Sequence, residues 1–233
     1  MQNNNIIKKT LLNFKGNELI FANTLYKTQL YNYVNEAAFY KTLERMCKSG
    51  ELVKIAKGTY HLPKVSKYGI VPPTDKEIIT SFTKNNTGTV VGYSLYNALN
   101  LTTQVAKSIE VMSATIESFS KTIRNVIVHK VQIDYNENVK NIIHGLEVLQ
   151  NYYNIQDINN LSFINFTKKL ADLYEEEAFK KVISAINYKK STIAFLREIL
   201  NFYGVKNNLN MYLSSMSEYK YPKMEELYEI TRI

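Results

Sequence analysis

Between residues 36 and 48, Ala37, Tyr40, Lys41, Glu44, Arg45 and Lys48 recur at the spacing that puts them on one face of a helix, while Phe39, Leu43, Met46 and Cys47 share the other. A face carrying Tyr, Lys and Arg has the donors that read base edges in a DNA major groove, and Ala37 is small enough for close approach or for contact with a thymine methyl. Lys54 and Lys57 follow in a short strand pattern, where ammonium groups suit phosphates. Glu36 and Glu44 set negative charge on the same helix face, which keeps a protein-docking role open as the alternative.

Other chemistries find little support. The chain has no Gly-rich phosphate loop, no H-E-x-x-H, no Cys-His metal spacing and no nucleophile elbow. His61 is expected to project from the hairpin, His129 to sit in a strand and His144 in a helix, none with a carboxylate or Cys at ligand spacing. Glu175, Glu176 and Glu177, with Lys180 and Lys181 one turn later, read as a solvated helix face. No catalytic residue, metal ligand or cofactor is expected, and the chain is not expected to be an enzyme.

The elements that must hold the basic face can be read locally. Ile6, Ile7, Leu11 and Phe14 give a first helix of three turns that stops at Gly16. A short second helix opens at Asn23 or Thr24 and turns Leu25 and Leu30 inward, leaving Lys27, Thr28 and Gln29 as candidate DNA contacts. The third helix has Asn35 as N-cap and Gly50 just beyond its end. With Lys57 and Gly58 as a two-residue turn, Ala56 faces Thr59, Ile55 faces Tyr60, Lys54 faces His61 and Val53 faces Leu62. Val53, Ile55, Tyr60 and Leu62 then share one face, and Lys54, Ala56, Thr59 and His61 the other, until Pro63 closes the strand. Three helices followed by a basic hairpin predict a winged helix-turn-helix over residues 1–68, contacting DNA through Ala37, Tyr40, Lys41 and Arg45 of the third helix and Lys54, Lys57 and Thr59 of the wing.

Charge agrees with this placement. Of the net +8, the first 68 residues carry +7, with eleven Lys and Arg against four Asp and Glu. Residues 69–233 form a second part of nearly balanced charge. Pro72 and Pro73 mark the joint, and Thr74 with Glu77 forms a capping box ahead of Ile78, Ile79 and Phe82. Val90, Val91 and Gly92, a short helix through Leu95, Ala98 and Leu99, and strands over 108–115 and 125–133 make a small mixed α/β region over 74–135. From 137 to 233 the pattern is helical. Val139, Ile142, Ile143, Leu146, Leu149 and Tyr153 mark one helix, 166–173 and 178–186 a second group, 191–203 a third stopped by Gly204, with two shorter helices after it. The fold class is α+β. The absence of an eighteen-residue apolar run, the polar Met1–Asn5 start and the single Cys47 point to an unexported cytoplasmic protein without membrane association.

Two segments carry a resemblance to a known family. Gly58, Tyr60 and Pro63 form a G-x-Y-x-x-P end to the hairpin; Gly92 is then followed by Ala98-Leu99-Asn100-Leu101-Thr102-Thr103-Gln104-Val105. Residues 1–135 resemble the AbiEi-type antitoxins of AbiE (type IV) toxin–antitoxin systems, whose second segment reads A-L-x-x-L-G-L-T-T-Q-x-P. Asn100 stands in place of a Gly and Ala106 in place of the Pro, which leaves the turn around them open. The resemblance implies an abortive-infection antitoxin whose winged helix binds inverted repeats in its own promoter as a repressor. It also implies a C-terminal part that neutralises a nucleotidyltransferase toxin, with or without a direct complex. A stand-alone winged-helix regulator or a docking module is the alternative.

Overall fold

The computed structural model describes residues 2–16 and 18–230 and shows an α+β chain with several small sheets. It divides into two compact units, Met1–Ser81 with Thr122–Val126, and Phe82–Lys121 with Ile127–Ile233.

In the first unit, α1 (Gln2–Leu11) leads to the short strand β1 (Ile20–Phe21), then α2 (Ala22–Leu25), which continues as a π-turn over Tyr26–Leu30, and α3 (Glu36–Lys48). Asn35 caps α3 as its sequence predicts, its Oδ1 accepting from the Ala37 and Ala38 amides at 3.0 and 3.4 Å. Gly50 takes the left-handed conformation (φ 75°) just past the helix. Strands β2 (Val53–Ala56) and β3 (Thr59–His61) complete a three-stranded sheet in the order β1–β3–β2. Ile7, Leu11, Ile20, Leu25, Leu30, Phe39, Leu43, Leu52 and Tyr60 are among the side chains of one buried cluster. The apolar spacing of each helix therefore serves a single core.

The β2–β3 register departs from the expected one. Ala56 does pair with Thr59, but Lys54 pairs with Tyr60 and Val53 with His61, because β2 bulges at Ile55. Of the turn residues only Gly58 has positive φ, at 66°, so the doubly left-handed turn that matches strand twist does not form. A bulge absorbs the mismatch and shifts every pair beyond it by one residue. Thr59 and His61, expected on the open face of the hairpin, are buried at 0% exposure in β3, which lies between β1 and β2.

Beyond β3 lies a second hairpin, β4 (Lys64–Ser66) with β5 (Gly69–Val71), which is not among the elements expected from the sequence. Then α4 (Asp75–Thr83) opens with the expected capping box. The Thr74 amide donates to Glu77 Oε2 at 2.7 Å and the Glu77 amide to Thr74 Oγ1 at 3.3 Å. Arg124 Nη1 donates to the Pro73 carbonyl at 2.9 Å and Asn125 to Asp75 Oδ2 at 3.0 Å, which fixes the Thr122–Val126 turn at the head of this helix.

The remaining strands are β6 (Gly88–Val91), β7 (Ile109–Ser113), β8 (Ser120–Ile123) and β9 (Val126–Lys130), in the sheet order β6–β7–β9–β8, with α5 (Gly92–Ala98) after β6. β8 has no counterpart among the strands expected from the sequence. Gly88 is required by close approach, since a Cβ there would lie 2.4 Å from the Met112 carbonyl oxygen and 2.5 Å from that of Phe82. The helical part of the second unit comprises α6 (Glu137–Asn151), α7 (Asn160–Asp172), α8 (Glu176–Ala185), α9 (Lys190–Phe202) and α10 (Met224–Ile230). Val139, Ile142, Ile143, Leu146 and Leu149 of α6 share one buried cluster with Phe163 of α7, Phe179 of α8 and Phe195 of α9. Tyr153, expected inward, is 72% exposed because α6 ends before it in a 3-10 turn. Lys180 pairs with Glu176 and Glu177 at 3.3 and 2.8 Å, the surface pattern expected there. Among the described residues no helix is long and apolar enough to cross a membrane.

Candidate nucleic-acid interface

Helix α3 buries Phe39, Thr42, Leu43 and Met46, so Ala37, Lys41, Glu44, Arg45 and Lys48 are exposed on its outer side and Tyr40 is half-buried between. Lys48 Nζ lies 2.8 Å from Glu44 Oε1 one turn earlier. That hydrogen bond is the main cause that holds the Glu44 carboxyl below its usual range, followed by the charge of Lys48 and, more weakly, of Lys41 and Lys54. Lys48 is thus paired with the carboxylate that stood against a DNA-reading face, and Lys41 and Lys54 add weaker positive fields to it. Its charge is locally overcompensated, and the net field of the face is positive.

Lys54 reaches this group because of the bulge. Its pairing partner Tyr60 belongs to the helix-packed core, so Lys54 stands on the α3 side of the sheet, where its charge also acts on the half-buried Cys47 thiol. The expected register has it on the opposite face from Tyr60. Burial still prevails at Cys47 and pushes its thiol up. Arg45 Nε makes a long 3.4 Å contact to the Lys41 carbonyl, which lays the guanidinium along the helix.

The other expected contacts divide. Lys27, Thr28 and Gln29 are exposed on the π-turn, with Thr28 Oγ1 donating to the Thr24 carbonyl at 2.8 Å. Lys57 is exposed at the hairpin turn. Thr59 is a correction: its side chain is wholly buried in the central strand and presents nothing to a ligand. His61 is likewise interior, its Nδ1 donating to the Leu62 carbonyl at 2.9 Å.

The second motif segment has a structural task. Gly92 takes φ 64° at the start of α5, a conformation that suits glycine, and Asn100 takes φ 56° at its end. Asn tolerates that region, so this turn ends on a left-handed residue without a Gly. Leu101 is buried; Thr102 Oγ1 donates to the Gln156 carbonyl at 2.7 Å, Gln104 Nε2 to Asp157 Oδ2 at 2.6 Å, and the Asn159 amide to the Leu101 carbonyl at 2.8 Å. Leu101, Thr102 and Gln104 thus tie this loop to the one before α7, whereas Ala98 and Thr103 are exposed and Leu99 is half-buried.

Two clefts in the second unit contain titratable groups. One, of about 110 Å³, is lined by His144 with Leu99, Asn141 and Lys169 among others. Thr89 Oγ1 and His144 Nε2 are 2.6 Å apart, and burial, aided by Lys140, pushes the imidazole down to about 4. A histidine depressed from 6.5 to about 4 is neutral in the folded chain while the unfolded chain binds the proton, so its stability contribution is full above 6.5 and is lost as pH falls toward 4. In urea unfolding, the stability of His144→Gln relative to the parent should therefore rise by up to about 3 kcal/mol between pH 7 and 4. A pH-independent difference would refute the neutral, buried imidazole. The other cleft, of about 170 Å³, holds Glu110 and Glu147 beside Tyr93 and Tyr96. Burial raises the Glu147 carboxyl, whose Oε1 accepts from the Tyr188 hydroxyl at 3.0 Å. His129 Nε2 lies 3.5 Å from Glu110 Oε2, a pairing made by neighbouring strands β7 and β9 and invisible in linear spacing.

No curated protein matches the chain. Residues 6–182, about three quarters of its length, match the model of a family of unknown function, DUF6088. That match spans both units, and the chain belongs to the DUF6088 family.

Proposed function

We propose that the first unit is a winged helix-turn-helix that binds duplex DNA, with α3 reading the major groove and the β2–β3 turn reaching phosphates. The order α1, β1, α2, α3, β2, β3 and the sheet order β1–β3–β2 support this reading. The observation that carries it is the exposed row of Lys41, Arg45 and Lys48 on the outer side of α3, with exposed Lys54 and Lys57 on the following hairpin. Neutral docking surfaces have no need of such an excess, whereas phosphate contacts do.

On the motif resemblance we extend this to a cytoplasmic autorepressor and antitoxin of an AbiE-type system, which represses its own operon at inverted-repeat promoter DNA and neutralises a nucleotidyltransferase toxin. Two copies on such a repeat would set their reading helices about one helical turn, or a multiple of it, apart. The reading assigns no catalytic step to the chain and requires no stable complex with the toxin.

Titrating the purified chain against a duplex from its own upstream region, between about 50 and 200 mM salt, tests the DNA half. Lys54 and Lys57, the two cations placed at phosphates, predict a log–log slope of about −2 per chain from this site alone. Weak, salt-independent association would overturn it and favour protein docking. For the antitoxin half, co-expression with the nucleotidyltransferase frame beside the gene should restore growth; no such frame, or no rescue, leaves a stand-alone regulator.

A further inference from the structure

The β4–β5 hairpin has a composition and exposure that its own unit does not explain. Val65 pairs directly with Ile70, so the two side chains share a face, yet they are 73% and 53% exposed. Tyr68 at the turn is 87% exposed. The two strands form a sheet by themselves, an arrangement of marginal stability in water. The turn is nevertheless shaped: the Tyr68 amide donates to Ser66 Oγ at 3.1 Å, and that hydroxyl donates to the Gly69 carbonyl at 3.2 Å. Lys67 Nζ lies 4.8 Å from the centroid of the Tyr68 ring.

Charge decides what this hairpin fits. From Leu52 to Thr74 the chain holds Lys54, Lys57, Lys64 and Lys67 and not one Asp or Glu. A second copy offering the same surface would set lysines against lysines, which disfavours self-association through the hairpin. A polyanion matches them, and the sugar walls and base edges of a DNA groove accept apolar and aromatic side chains between the phosphates.

We propose that the β4–β5 hairpin is a second DNA-contacting element, Lys64 and Lys67 meeting phosphates while Tyr68, Val65 and Ile70 lie against a groove. This rests on the DNA-binding reading of the same unit and extends its footprint beyond α3 and the β2–β3 turn.

The test uses the full chain and its upstream duplex, with the double variants Lys64→Ala/Lys67→Ala and Val65→Ser/Tyr68→Ser, and Lys64→Arg/Lys67→Arg as the charge-preserving control. The alanine pair should flatten the salt slope by about 2 and cost about tenfold in affinity near 150 mM salt, while the arginine pair keeps both. In hydroxyl-radical footprints the wild type should protect a segment adjoining the α3 site, lost in the alanine and serine pairs while the α3 protection remains. Tight wild-type binding with slope and footprint unchanged in the hairpin variants would overturn the inference and leave α3 standing. A wild type that does not bind the duplex removes both. Variants that turn an oligomer into a monomer by sedimentation, at constant salt slope, would assign the hairpin to a second copy and overturn the proposal.

Discussion

Replacing Lys41 and Arg45 together by Ala should weaken operator binding by roughly 1–3 kcal/mol for each lost base-reading contact, thus by at least about thirtyfold for the pair. Both side chains are exposed on α3 and outside the core, so the variant should keep its circular dichroism and melting temperature. Affinity should fall because guanidinium and ammonium donors facing base edges are lost, and because Glu44 loses one of the cations that offset it. The β2–β3 hairpin should behave differently. Lys54→Ala or Lys57→Ala should reduce the salt slope by about one each and weaken all sequences nearly alike, as a phosphate contact does. Fluorescence anisotropy at fixed salt separates the two; equal operator affinity for the Lys41/Arg45 double variant and its parent would remove α3 from the groove.

Phe163→Ala should destabilise the second unit by about 3–5 kcal/mol. Phe163 is wholly buried on α7, its ring centroid 4.8 Å from that of Tyr152 and 6.1 Å from that of Phe195, so truncation deletes an aromatic cluster and leaves a cavity between helices. For a unit of this size the unfolding midpoint should drop by roughly 10 °C by calorimetry, with Phe163→Leu recovering much of the loss because it refills most of the volume. A drop under about 2 °C would mean that the site collapses around the missing ring and that the cluster contributes little.

The antitoxin reading draws on two short motifs whose structural roles differ. Gly58 supplies the left-handed residue of the β2–β3 turn, and Tyr60 packs in the core beside it. Leu101, Thr102 and Gln104 hold a loop junction in the second unit. Both motifs therefore maintain shape, and the charged groups proposed to meet DNA lie outside them.

Features set by neighbours along the chain are legible in the residues themselves. The Asn35 cap, the Thr74–Glu77 box, the apolar stripe of α6 and the stops at Gly50 and Gly204 all depend on residues within about one or two turns of each other. The α3 face is legible for the same reason, since 3.6-residue periodicity divides Phe39 and Leu43 from Lys41 and Arg45 without reference to any partner. The β2–β3 hairpin is less so. Its turn lies where expected, but the register depends on how much twist β2 can absorb between Gly58 and a middle strand already paired with β1, a two-residue strand about forty positions away. β8 and the β4–β5 hairpin leave no clear pattern because three- and four-residue strands show too little alternation to stand out.

By itself the sequence determined most of the helical segments, the caps of α3 and α4 and that the positive charge lies in the first 68 residues, since propensity, capping and charge are local properties of the chain. Tertiary structure decided that Thr59 and His61 are interior, that Lys54 pairs with Tyr60 on the α3 side of the sheet and that the Val65–Tyr68–Ile70 surface is exposed. Strand pairing and burial depend on which distant backbone supplies the hydrogen bonds, and a one-residue shift in that pairing exchanges the two faces of a strand.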